Sequence, residues 1–93
     1  KQLSSESQNA LKELGINLGL SRRSGDFTMN DDLYNKYQNE TANFLKKRLD
    51  TRIAKPNWYN MTFERKTEII NGIVLEAKDQ ARDKVLRSAN RGE

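Results

Sequence analysis

Apolar side chains recur at helical spacing along two long stretches. Between about residues 30 and 54, Leu33, Tyr37, Thr41, Phe44, Leu45, Leu49 and Ile53 fall three or four positions apart; between about 62 and 89, Ile69, Ile70, Ile73, Val74, Ala77, Ala81, Val85 and Ala89 do the same. Each pattern predicts an amphipathic helix with one face turned to a core. Local signals bracket both. Thr28 or Asn30 starts the first helix by accepting a bond from a free backbone N–H. Asp31 and Asp32 follow at its positive end, and Lys46, Lys47, Arg48 and Arg52 collect toward its negative end. On its exposed side, Asp32–Lys36 and Lys36–Glu40 are expected to pair one turn apart. Pro56 disfavours helix at Lys55 and closes the element. Thr62 then caps the second long helix, with Glu64 in its first turn.

The remaining segments are shorter. Residues 4–14 read as a helix with a narrow Ala10, Leu11, Leu14 stripe, capped by Ser4 or Ser5 and stopped by Gly15. At about 11 residues it needs a neighbour to hold it. Residues 15–29 read as a loop in which Ile16, Leu18 and Leu20 form an extended strip over the core, without a sheet. Residues 55–61 form a tight connection that carries the lone Trp. One stretch has two readings: Ile69-Ile70-Asn71-Gly72-Ile73-Val74 also fits a β-hairpin with an Asn-Gly turn. The helical period runs straight through it, so helix is expected, with Gly72 allowing a neighbouring helix to approach closely. A helix of about 25 residues is roughly 37 Å long. The economical arrangement is all-α: three helices, the last two forming a long antiparallel hairpin, with the short helix and the Trp58–Tyr59 corner filling one end. Residues 1–93 then make a single helical domain, with a frayed tail at 90–93.

Composition narrows the chemistry. The chain has no Cys and no His, which removes thiol nucleophiles, disulfides, imidazole acid–base catalysis and Cys/His zinc sites. No apolar run reaches the roughly 18 residues of a membrane span, and residues 1–15 lack the apolar core of a secretion signal. The chain opens at Lys1 rather than Met and reads as part of a larger protein. Its net charge of +4 is spread along the chain with no basic arm or acidic tail. No phosphate-cradling glycine motif and no GxSxG or SxxK pattern occurs. The closest carboxylate groupings, Asp31/Asp32 and Asp79/Asp83, read as helix-dipole and solvation features. No catalytic residue, metal ligand, cofactor or small-molecule substrate is expected, and the chain does not read as an enzyme.

Two kinds of contact residue remain. Lys46, Lys47, Arg48, Arg52 and Lys55 form the densest positive cluster, and on a helix 48, 52 and 55 share a face suited to a phosphate backbone. Arg22 and Arg23 form a smaller basic pair in the loop. Trp58 and Tyr59 are candidate aromatic anchors for a partner, although a Trp at an inter-helix corner more often plugs the core.

The run from Leu14 to about Arg87 resembles a domain found at the C-terminal end of large phage and prophage proteins. The cues are a Leu-Gly loop with basic residues, a Thr-led helix carrying Tyr34 and Tyr37, the Lys55-Pro56 break followed by Trp58-Tyr59, and a last helix reading Lys66…Ile69-Ile70…Ile73…Ala77…Ala81-Arg82. Trp-Tyr stands where a single Tyr is expected, and Gly72 interrupts the last helix. The resemblance implies a non-catalytic, virion-associated structural or protein-interaction module, oligomeric or bound to other segments of its parent, in the host cytoplasm or the virion. It carries over no active site. The alternative is a basic helical domain associated with nucleic acid.

Overall fold

The structure, a computed structural model, describes residues 5–24 and 26–90. Three helices dominate: α1 (Ser5–Glu13), α2 (Asp31–Ile53) and α3 (Phe63–Asn90). A 3-10 turn at Pro56–Asn60 joins α2 to α3. The long helices run antiparallel, since Lys36 Nζ donates to Ser88 Oγ at 2.6 Å while Glu40 pairs with Lys84 at 3.1 Å. The molecule is accordingly elongated, 47 × 23 × 16 Å.

Local chemistry explains the element ends. Asn30, in extended backbone, accepts from the Leu33 amide at 2.8 Å and starts α2, so Asn30 and not Thr28 is the cap. Thr62 does the same for α3, accepting from the Arg65 amide at 3.1 Å. α1 ends in a Schellman arrangement: the Ile16 amide donates to Leu11 O at 3.0 Å, and the Gly15 amide to Lys12 O at 3.2 Å. Gly15 takes φ +68° to allow it, a conformation that costs any residue with a Cβ. Ser5 lies inside α1, while Ser4, and residues 91–93 of the expected tail, fall outside the described residues.

The core lies along the α2–α3 seam as two clusters. Toward the Pro56 end, Leu45, Leu49 and Ile53 meet Ile70, Val74 and Ala77, with Ala10 and Trp58 closing over them and Phe44 packed at the margin. Toward the other end, Tyr37, Ala81 and Val85 pack with Met29. The strip after α1 does what its alternation predicts: Ile16 and Leu18 lie against the first cluster and Leu20 against the second.

Three expectations need correction, and one open choice is decided. The 15–29 loop contains a two-stranded antiparallel ribbon, β1 (Arg23–Ser24) and β2 (Phe27–Thr28), pairing Arg23 with Thr28. It turns the chain so that Met29 drops into the core, 2% exposed. α3 runs unbroken through Asn71-Gly72, so the hairpin alternative fails. Yet no helix approaches Gly72: a Cβ built there meets nothing within 4 Å. The pairs expected along α2 are replaced by contacts across the seam, Lys36 reaching Ser88 and Glu40 reaching Lys84.

Candidate partner-binding faces

One side of the α2–α3 hairpin is covered by α1 and the strip 15–20; the other is open. On the open side, Lys47, Arg48, Thr51, Arg52 and Lys55 of α2 and its end face Ile73 of α3 across a shallow groove of about 240 Å³. The groove follows from helical geometry, because positions 48, 52 and 55 fall on one face and 47 and 51 on its edge. Four of the five predicted cluster residues are thus brought together. Lys46 is turned the other way, toward α1, where its Nζ lies 3.8 Å from Asp50 Oδ2. That carboxylate also accepts from the hydroxyl of Ser7, a fully buried α1 residue. Ser7 is a structural anchor that no apolar pattern could mark.

Within the groove the charges are poorly compensated. Among the described residues, no carboxylate pairs with Lys47, Arg48, Arg52 or Lys55. The Arg48 guanidinium instead lies over the Phe44 ring, 5.1 Å from its centroid. Arg52 is half-buried, and its Nε is shut off from solvent with no hydrogen-bond partner. Thr51 spends its hydroxyl on the Lys47 carbonyl at 2.7 Å. Thr51 and Ile73 were not among the expected contact residues; their place depends on how the two helices face each other.

A second cleft, about 360 Å³, continues along the same side between Glu40, Asn43, Phe44 and Lys47 of α2 and Gln80, Lys84 and Arg87 of α3. Its α3 cations are answered locally, Lys84 by Glu40 at 3.1 Å and Arg87 by Asp83 at 3.3 Å, while Lys47 is shared with the first groove.

The other basic pair sits far from this cluster, at the start of α2. Arg22 bridges Asp31 at 2.7 Å and stacks over Tyr34 at 4.5 Å, which ties the loop to the helix. Arg23 lies in β1 with an exposed side chain. The aromatic pair divides as well. Trp58 is 3% exposed, plugging the core with the Lys66 ammonium over its ring at 5.4 Å, so it offers no surface to a partner. Tyr59 is 68% exposed.

The carboxylate groupings are drawn to nearby arginines rather than to each other. Asp79 binds Arg82 at 2.6 Å and Asp83 binds Arg87 at 3.3 Å. Among the described residues no three carboxylates converge as a metal site would require. No described helix is long and apolar enough to cross a membrane. Of the titratable groups, Tyr37 is displaced: burial pushes its phenol above its usual value near 10, opposed by Arg82 and reinforced by Asp79 and Tyr34. Comparison of the chain with known protein families, with curated proteins and with solved structures finds no match.

Proposed function

We propose that this chain is a non-catalytic interaction module of a phage-type, virion-associated protein, working by packing helix faces against another copy or another segment of its parent. The phage-type assignment rests on the sequence resemblance from Leu14 to Arg87. The mode of action is supported by one observation on α3. Gly72 sits in mid-helix, where glycine costs about 1 kcal/mol against alanine, and among the described residues no atom lies within 4 Å of a Cβ built there. Three residues on, Leu75 is 61% exposed. Residues three apart share a helix face. A bare backbone patch beside an exposed aliphatic side chain suits close approach of a second helix.

Light scattering after size exclusion, over a wide concentration range, tests the reading. The expected result is a mass that rises above one chain and returns to it in Leu75→Glu. A chain that stays monomeric throughout and is indifferent to Leu75→Glu defeats packing between copies.

A further inference from the structure

At the Pro56 end of the hairpin, one groove concentrates cations that have no carboxylate partner among the described residues. Elsewhere on the helices and loop, Arg22, Lys46, Arg65, Arg82, Lys84 and Arg87 each reach a carboxylate. The groove gathers Lys47, Arg48, Arg52 and Lys55, which reach none among the described residues. Four like charges gathered in one groove repel one another. Such an arrangement is stabilised by an anion that the chain itself does not supply.

We propose that this groove binds the sugar-phosphate backbone of a nucleic acid, without reading its bases. Charge spacing favours that occupant. From Lys47 to the end of α2 at Ile53 the helix rises about 9 Å, and Lys55 lies two residues beyond. A nucleic-acid strand carries one phosphate per roughly 3.4 Å of axis, so about three or four phosphates span the same length. The rest of the lining fits a reader of charge alone. Thr51 has its hydroxyl committed to the Lys47 carbonyl, leaving it poorly placed to donate to a base edge. Ile73 is a single half-buried aliphatic group, too little to seat the apolar anchor that holds a peptide. The site is separate in its residues from Gly72 and Leu75, so it stands whether or not copies of the chain pack together.

The test is fluorescence anisotropy of the full chain with a labelled random-sequence DNA duplex over a salt series. Four phosphate contacts predict a slope of log K against log salt of about −3.6, or roughly 150-fold weaker binding between about 50 and 200 mM. Lys47→Gln with Lys55→Gln halves the slope to about −1.8. Both side chains are exposed, so the fold is retained, and circular dichroism checks it. Lys12→Gln with Lys78→Gln removes the same net charge elsewhere and leaves the slope unchanged. Three results overturn the proposal: no binding at low salt; an equal loss of slope in the Lys12/Lys78 control; or polyglutamate binding as tightly as DNA through the same residues, which marks an acidic polypeptide as the occupant.

Discussion

Replacing Gly72 by alanine is the most direct probe of α3. The backbone there is ordinary helix, because the positive φ values among the described glycines belong to Gly15 and Gly19. A new Cβ meets no atom within 4 Å, so neither strain nor overlap opposes the substitution. What remains is propensity: alanine is favoured over glycine in a helix interior by about 0.8–1.0 kcal/mol, partly because the unfolded chain loses freedom. For a domain of this size a gain of about 1 kcal/mol raises Tm by roughly 4–8 °C. Urea unfolding followed by circular dichroism is expected to show a higher midpoint with an unchanged m-value. Gly15→Ala is the contrasting case. Its φ of +68° closes the Schellman turn, and alanine there is expected to cost about 1–2 kcal/mol. A Gly72→Ala chain that is no more stable, or less stable, refutes the reasoning, since some contact must then depend on the missing methyl. If copies pack through this face, the same variant is more stable as a monomer yet associates less, because the methyl holds the second helix off.

Further predictions concern the core. Trp58→Ala removes the plug beneath Lys66 and should destabilise the chain by about 3–5 kcal/mol, measured by denaturant unfolding; a loss below about 1 kcal/mol contradicts its burial. Ser7→Ala deletes the hydroxyl that donates to Asp50, with an expected cost of about 1–2 kcal/mol. An unchanged midpoint would show that α1 is held by Ala10 and its neighbours alone. Tyr37 should ionise above the usual phenol range in an ultraviolet phenolate titration, because burial disfavours its phenolate. Its folded pKa lies above the unfolded value near 10. Its contribution is therefore complete below about pH 10 and is lost as pH rises through the folded value. Tyr37→Phe should remove that part of the alkaline decline; an identical decline in the variant assigns it to other groups.

What could be read from the chain was local. The Asn30 and Thr62 caps, the stop at Gly15 and the break at Pro56 each depend on a few consecutive residues and their backbone geometry. The two stripes depend on the 3.6-residue period alone, and they locate Leu45, Leu49, Ile70 and Val74 in the seam. From stripe lengths and a short connection, an antiparallel hairpin follows.

Tertiary packing decided the rest, because helix–helix rotation and the path of the loop are set by contacts distant in sequence. Ser7 carries no hydrophobic label, yet α1 places it, fully buried, against Asp50. Met29 becomes core only because the β1–β2 ribbon turns the chain inward. Lys46 and Lys47 are neighbours in sequence, but a helix sends them about 100° apart. One meets a carboxylate on the α1 side and the other joins the open groove with Ile73. The same rotation leaves Gly72 facing empty space rather than a companion helix. Periodicity says which residues lie on a face of their own helix; only the assembled hairpin says what, if anything, stands opposite.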